Sequence, residues 1–344
     1  PNVYEETPTF TDSTLSKTAG KLVPDQPIQI TGFYVNEEEV PIFKLKNGQF
    51  VIADKNTIYE DTVQSIEDIH QEMWLKPGFI LYDKANINGA KKINATVAPY
   101  TKVNIVQIVQ TVKGTYAQIE GQGWVSMEFL DETGNRMDKV QEILSSKYNK
   151  ADYSIYVKQL DTGKEAGINQ DQEMYSASVT KLPYLYYVQE QLDQKKLSLD
   201  QKFKYIGAVN DFAGAYEPEG SGSIAKSADD KEYSVQDLIN RVAKESDNVA
   251  HNILGYYATN QSDKNFQQTI NKIAGKKWDV EERQASSRMA GNVLEAIYEQ
   301  NGMIIDALSQ TNYDNQRISK NIDAKVAHKI GDAYDFKHDA AIVY

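Results

Sequence analysis

The first 130 residues alternate apolar and polar positions in short runs, which is typical of β-strands. Residues 42–45 and Phe50–Ile52 are two such runs, and Asn47-Gly48 lies between them. Asn-Gly between β-rich runs predicts a tight hairpin, because both residues accept a positive φ. The pattern recurs over residues 79–125 around Asn88-Gly89. We therefore expect two tandem β units in small barrels, with one irregular β domain as the alternative.

The segment between the two β patterns is acidic and has apolar residues at helical spacing. Val63, Ile66 and Ile69 lie three residues apart, which predicts a linking helix over residues 61–76. The expected organisation is thus a β unit over 1–60, this helix, a second β unit over 77–133, and a larger domain over 134–344.

After residue 136 the apolar spacing becomes that of helices. Met137, Val140 and Leu144 predict one helix, and Ser234 and Ser286 or Ser287 are the expected N-caps of two later ones. Strand patterns stand before this helical part, at 153–157, and after it, at 325–330 and 340–344. Strands at both ends of a helical middle predict one sheet assembled from distant segments, in an α/β (α+β) domain.

Composition excludes several classes of partner and cofactor. The formal net charge of −12 argues against nucleic acid as a partner. No apolar run approaches the length of a membrane span. The chain has no cysteine, and its four histidines show no ligand spacing, so we expect no disulfide, metal or cofactor. The first residues lack the charged and apolar regions of a signal peptide, so any signal has been removed or was never there.

Ser178 and Lys181 are the first residues that indicate chemistry. They stand three apart at the start of a predicted helix, so their side chains share one face. A lysine beside a serine can remove the hydroxyl proton if burial or a second cation keeps its amine neutral. The helix start would also place the Ser178 N–H beside a developing oxyanion.

Two later segments supply the groups that such a nucleophile needs. Ser246-Asp247-Asn248 follows an amphipathic helix, and His328-Lys329-Ile330-Gly331 lies in a predicted strand. A second serine can relay a proton, an asparagine amide can orient a substrate amide, and a strand lysine can attract a carboxylate. The alternatives are a helix terminus at Ser246 and a solvated charge at Lys329.

The order S-x-x-K, S-D-N, K-x-G resembles the class A β-lactamase and penicillin-binding serine hydrolases over residues 137–344. The segments Tyr216–Ser223 and 338–343 are similar to that family too. The resemblance implies the following roles: Ser178 the acylated nucleophile, Lys181 the base, Ser246 the proton relay, Asn248, Lys329 and Gly331 substrate binding, and the backbone N–H groups of Ser178 and Asp332 the oxyanion hole.

The sequence departs from this family's pattern in three places. Ile330 stands where the family has a hydroxyl residue, and no E-x-x-L-N segment supplies a deacylating carboxylate. Glu281 and Glu282 are the candidates for that base, although neither is followed by Leu-Asn. The family also continues beyond the position of Tyr344 with a further strand and helix. We therefore expect acylation with slow deacylation.

The N-terminal half resembles bacterial SH3-like domains, which hold secreted enzymes on cell-wall peptides or act as spacers. The similarity lies in Gly114-Thr115-Tyr116, Gly121 and Gly123-Trp124-Val125. Together the resemblances imply a multidomain, exported bacterial serine hydrolase of the cell surface, acting on a β-lactam or a D-alanyl peptide of peptidoglycan. The alternative is a catalytically silent wall-binding or sensing protein that keeps the fold.

Overall fold

A computed structural model describes residues 1–60, 63–85 and 90–344 in two compact units. These units are Pro1–Lys139 and Val140–Tyr344. In the described residues no helix is long and apolar enough to cross a membrane.

The N-terminal unit is built from strands, and its described residues have no α-helix before residue 136. The strands are β1 Asn2–Val3, β2 Thr7–Phe10, β3 Thr18–Leu22, β4 Ile30–Val35, β5 Pro41–Leu45, β6 Phe50–Ile52, β7 Ile58–Tyr59, β8 Val63–Leu75, β9 Leu81–Tyr82, β10 Lys92–Ile93, β11 Lys102–Thr111, β12 Gly114–Ile119, β13 Gly123–Ser126 and β14 Leu130–Asp131.

These strands form two antiparallel sheets with separate hydrophobic cores. The orders are β3-β2-β6-β5-β4 and β10-β9-β13-β12-β11-β8-β14, with β1 and β7 as a further pair. One core contains Val3, Leu45 and Val51, and the other contains Leu75 and Ile105. Each sheet thus packs against apolar residues of its own, as small β structures require.

The hairpin predicted at Asn47-Gly48 is confirmed, with a different turn from the one expected. β5 and β6 pair from Ile42↔Ile52 to Lys44↔Phe50, and the Leu45 N–H donates to Gln49 O. Of the two turn residues only Gly48 has a positive φ, of 84°. This is the three-residue loop in which a glycine in the left-handed region follows a tight turn. The second hairpin signal, Asn88-Gly89, lies outside the described residues.

The linking helix predicted over 61–76 is wrong for the residues that are described. Residues 63–75 form the 13-residue strand β8, paired with β11 from Val63↔Thr111 to Lys102↔Trp74. Ile66 is 61% exposed, whereas Met73 and Leu75 are buried two residues apart. Buried positions therefore repeat every second residue, as in a strand. Pairing with β11 outweighs the helical spacing of the apolar residues.

The C-terminal unit is a helical core flanked by strand pairs. Its helices are α1 Arg136–Lys147, which begins before the unit boundary, α2 Lys181–Asp193, α3 Val235–Glu245, α4 Asn248–Ala258, α5 Lys264–Ala274, α6 Ser287–Gln300 and α7 Met303–Leu308. Its strands are β15 Ile155–Lys158, β16 Glu165–Ile168, β17 Met174–Tyr175, β18 Lys202–Lys204, β19 Glu232–Ser234, β20 Gln284–Ala285, β21 Val326–Ala333 and β22 Phe336–Val343.

The predicted helices α1, α3 and α6 are present, and two have the expected caps. The Ser234 side chain accepts from the Asp237 N–H at the start of α3, and the Ser286 side chain accepts from the Met289 N–H at the start of α6. These are the N-cap contacts that satisfy otherwise unpaired donors.

The single sheet expected from distant segments is not formed by the described residues. β15 pairs with β16, and β21 pairs with β22, but no ladder joins the two pairs. Both pairs pack against α6 instead. Packing on a shared helix buries the apolar faces of both pairs without a hydrogen-bond ladder between them. The pattern of apolar residues in a strand does not show which distant element will cover it. The unit has the α/β fold expected for it.

Candidate active site

Ser178 lies in a 3₁₀ turn, Ala177–Thr180, that leads directly into α2. Ala177, immediately before it, has a φ of 49°, an uncommon conformation for a residue with a side chain. Leu182 and Leu185 of α2 are fully buried. Because α2 enters the core at its first turn, Lys181 is also withdrawn from solvent, with 0% of its surface exposed.

The Lys181 amine is surrounded by four oxygen atoms. Its Nζ donates 2.6 Å hydrogen bonds to the Ser246 carbonyl oxygen and to Asn248 Oδ1. The same Nζ lies 3.2 Å from Ser178 Oγ and 3.2 Å from Ser246 Oγ. The two shortest contacts are to atoms that can only accept. A neutral amine can therefore satisfy both with its two N–H groups and direct its lone pair at a hydroxyl.

The surroundings of Lys181 favour this neutral form. Burial lowers the pKa of Lys181 well below its usual value, and the charges of Lys329, Arg283 and Lys226 lower it further, while Asp247 opposes them. A buried ammonium beside other cations is disfavoured on both counts.

Backbone geometry at a helix junction presents Ser246 and Asn248. Ser246 ends α3 in the left-handed region, with φ 56°, and Asp247 caps α4 by accepting from the Ala250 N–H. The Asp247 carboxylate also accepts from the N–H groups of Ser223 and Ile224. These bonds fix the junction, so the two flanking side chains point to one place.

The preceding turn needs glycine where it meets this junction. A Cβ added to Gly220 would lie 2.1 Å from Asn248 Nδ2, and one added to Gly222 would lie 2.1 Å from the Asp247 side chain. Asn248 Nδ2 donates to Glu217 O at 2.8 Å. The turn therefore packs directly on the two residues that it orients.

Lys329 reaches the same hydroxyl from β21. It is 2% exposed, and its Nζ donates to Ser246 Oγ at 2.8 Å and to Ile330 O at 2.9 Å. Burial lowers the pKa of Lys329 to about 7, a fall that Arg317 increases and that Asp339 and Asp332 oppose. Ser246 Oγ is thus shared by the Lys181 and Lys329 amines.

The strand that carries Lys329 lies against the turn that contains Ser178. A Cβ at Gly331 would come 2.8 Å from Ser176 O and 3.1 Å from Val179, so glycine permits this approach. Asp332 follows in β21, where its carboxylate pairs with Arg317. The predicted oxyanion hole, formed by the N–H groups of Ser178 and Asp332, requires contact between this strand and the Ser178 turn. The hole itself stays a prediction. Ile330 is buried.

His328 fixes the buried side of β21. Its Nδ1 lies 3.1 Å from both carboxylate oxygens of Asp339, and its Nε2 lies 3.1 Å from Asp314 Oδ1. Burial alone would lower the pKa of His328, but the hydrogen bonds and charges of Asp339 and Asp314 outweigh it and raise the pKa. The imidazole therefore links β21, β22 and the loop before them.

A comparison with protein families decides the relationship. The sequence profile of the Beta-lactamase enzyme family matches residues 135–344. The chain belongs to this family. Among curated protein sequences none matches the chain.

Three solved structures show the similarity at low identity. The TLA-3 extended-spectrum β-lactamase is 18% identical over 60% of this chain and 85% of that chain, with a TM-score of 0.49. A β-lactamase from Chitinophaga pinensis DSM 2588 is 21% identical over 61% and 85%, with a TM-score of 0.48. A PBP-A mutant in an acyl-enzyme complex with penicillin G is 18% identical over 60% and 81%, with a TM-score of 0.45. The family assignment rests on the profile match.

The hydrogen-bonded cluster around Lys181 consists of Ser178, Ser246, Asn248 and Lys329. The structure does not bring Glu281 or Glu282 into this cluster. Both residues are exposed, and in the described chain neither carboxylate hydrogen-bonds to Ser178, Lys181 or Ser246. The loop instead directs Arg283 inward. Among the described residues, no group of three or more acidic or histidine side chains is placed to hold a metal ion.

Two residues beside this cluster have no role in the sequence-based assignment. Tyr216 is buried, donates from its hydroxyl to Ala177 O at 2.8 Å, and places its ring 4.5 Å from Lys181 Nζ. Arg283 lies over the same ring. Tyr216 stands in the glycine-rich segment that the sequence did indicate, whereas no local signal distinguishes Arg283.

These ionisations predict a bell-shaped pH dependence for reaction with a fluorescent penicillin. Protonation of Lys181 would limit the second-order rate at low pH, and loss of the Lys329 charge would reduce attraction of the substrate carboxylate as pH rises through about 7. Lys329→Arg keeps its charge and should remove the alkaline decline. A wild-type rate that stays constant to pH 9 would contradict this assignment.

Proposed function

We propose that this protein is a serine acyl-transfer hydrolase that acts on a β-lactam or a D-alanyl peptide through an acyl-enzyme at Ser178. The observation that carries the proposal is the Lys181 amine. It is fully buried, its two short hydrogen bonds go to atoms that only accept, and it lies 3.2 Å from Ser178 Oγ.

The first step is attack by Ser178. Its Oγ bonds to the substrate carbonyl carbon while its proton passes to Lys181 Nζ, so one covalent bond forms as one proton moves. The carbonyl oxygen gains the negative charge, which the N–H groups of Ser178 and Asp332 would stabilise. The Lys329 ammonium holds the substrate carboxylate at the same time.

The second step is departure of the substrate nitrogen. The C–N bond breaks as that nitrogen takes the Ser246 hydroxyl proton, and the Lys181 ammonium returns its proton to Ser246 Oγ. The Ser246 oxygen accepts from Lys329 at 2.8 Å, so its own O–H remains available to donate. This sequence leaves Lys181 neutral and Ser178 acylated.

Ser178 is therefore the expected site of covalent labelling. Intact mass after incubation with benzylpenicillin should increase by one adduct on the peptide that contains Ser178, and Ser178→Ala should abolish it. Ser145→Ala, which removes an exposed serine on α1, should label as wild type does. Equal labelling of Ser178→Ala would show that another residue is the nucleophile, and an unlabelled wild type would favour the silent binding protein.

The acyl-enzyme is expected to persist, because hydrolysis needs a base on the water side of the ester. General-base assistance is typically worth about 10²–10⁴-fold, and in the described chain neither the Glu281 nor the Glu282 carboxylate hydrogen-bonds to Ser178, Lys181 or Ser246. Nitrocefin should give a stoichiometric burst followed by very slow turnover. Turnover at tens per second would contradict this expectation, and alanine substitution of each glutamate would then identify the base.

The same proposal places the chemistry at the bacterial cell surface, with the N-terminal unit as an SH3-like wall-binding module. The supporting observation is the edge strand β4, in which Phe33 is 61% and Val35 is 60% exposed. The chain is acidic overall, so affinity for an anionic wall would come from apolar and hydrogen-bonding contacts.

Binding to the wall should therefore resist salt. The full chain should sediment with purified peptidoglycan at high ionic strength, since screening weakens only the charge contribution. Phe33→Ser should weaken sedimentation, while Ile66→Ser, at a position equally exposed on β8, should not. Failure to sediment at any salt concentration would reduce this unit to a spacer.

A further inference from the structure

Arg283 lies where the loop over residues 278–284 meets the nucleophile turn. β17 pairs with β20 through Tyr175↔Gln284, so the residue before β20 faces the residue after β17. The Ser176 N–H donates to Arg283 O at 2.7 Å, and Arg283 has a φ of 53°. The loop is thus joined to the segment that carries Ser178.

A buried chain of hydroxyl groups strengthens this junction. Trp278 Nε1–H donates to Thr180 Oγ1 at 3.1 Å, and Ser176 Oγ–H donates to Arg283 O at 2.9 Å. The hydroxyls of Thr180 and Ser176 lie 2.5 Å apart, which lets Thr180 donate to Ser176 and completes the chain. Both ends of the loop are therefore fixed on the turn that precedes α2.

The Arg283 guanidinium has no acidic partner in the described chain. Nη2 donates to Ala215 O at 2.6 Å and Nη1 donates to Glu281 O at 3.2 Å, both backbone carbonyls, while Nε is buried without a partner. The guanidinium carbon lies 4.0 Å from the centroid of the Tyr216 ring. The positive charge is thus held in place without being neutralised.

The same ring contacts Lys181 Nζ at 4.5 Å, so one aromatic side chain lies against both cations. Other charged groups act on Lys181 from the elements around it: Lys329 on β21, Asp247 at the start of α4, and Lys226 in the loop before β19. His251 on α4 is also close. Burial lowers the pKa of His251, and the charge of Lys181 lowers it further, so the imidazole is neutral. Asp247 alone among these favours a charged Lys181.

We propose that Arg283 is a positioning residue for the acylation reaction: its loop holds a fixed positive charge against Tyr216, beside Lys181, so that the Lys181 amine stays available as the base. This inference rests on the proposed function. It also explains why the loop directs a cation inward, since a carboxylate there would favour the ammonium form of Lys181.

The ionisation of Lys181 can be followed directly, without any reaction. In protein labelled with [¹³C]lysine, the Lys181 Cε resonance, assigned from its loss in Lys181→Met, should titrate about one pH unit higher in Arg283→Gln than in wild type. Arg283→Met, which keeps the length of the side chain, should shift it similarly. Arg283→Lys retains the charge and should keep the wild-type titration.

Arg288→Gln is the matched control, because Arg288 also lies over a tyrosine ring, that of Tyr156 at 5.0 Å. It should leave the Lys181 titration unchanged. An unchanged titration in both neutral variants would overturn the proposal, as would a shift in Arg283→Lys equal to that in Arg283→Gln, since hydrogen bonding and not charge would then be responsible.

The acylation rate supplies the second measurement. With a fluorescent penicillin, the acid limb of the pH–rate profile should move to higher pH in Arg283→Gln. In Arg283→Lys it should lie at the wild-type pH. A shifted titration in a protein that never labels would support the role of Arg283 at Lys181 and contradict the proposed function. A labelled wild type with an identical acid limb in Arg283→Gln would contradict the role of Arg283 alone.

Discussion

Two lysine amines, those of Lys181 and Lys329, share the Ser246 hydroxyl inside the C-terminal unit. Both are almost completely buried, and two neighbouring ammonium ions in such a place would repel each other without enough water to screen them. Burial lowers the pKa of both lysines, and the charge of Lys329 lowers the pKa of Lys181 further. The roles proposed for them, a neutral base at Lys181 and a charged anchor at Lys329, thus depend on the same buried surroundings.

The surrounding structure serves to maintain that arrangement. The Asp247 carboxylate accepts three backbone N–H groups, which holds its negative charge at the helix junction beside the lysines. Gly222 allows the preceding turn to approach this carboxylate, and Gly331 brings β21 against the Ser178 turn. His328 ties β21 to β22 through Asp339. Small residues and buried hydrogen bonds therefore set the positions of the reactive groups.

The loop before β20 would act differently on the two halves of the proposed reaction. It presents Arg283 to the cluster and leaves Glu281 and Glu282 exposed. A cation beside Lys181 favours the neutral amine that the proposed attack requires, and a cation cannot serve as the base for a hydrolytic water. In the proposed mechanism, the same short loop would therefore support acylation without assisting deacylation.

The sequence by itself determined the features that depend on near neighbours. The Ser178 and Lys181 spacing, the Ser234 and Ser286 caps and the Asn47-Gly48 hairpin each follow from residues within four positions of one another. Only the tertiary structure decided the strand at 63–75, because its pairing with β11 supplies hydrogen bonds that outweigh local helical spacing. The tertiary structure also placed the pairs β15–β16 and β21–β22 on α6 as two separate sheets. Finally, it brought Arg283 onto Tyr216, 67 positions away in the printed sequence. Such a cation–π contact has no local pattern, since it forms only when distant segments fold together.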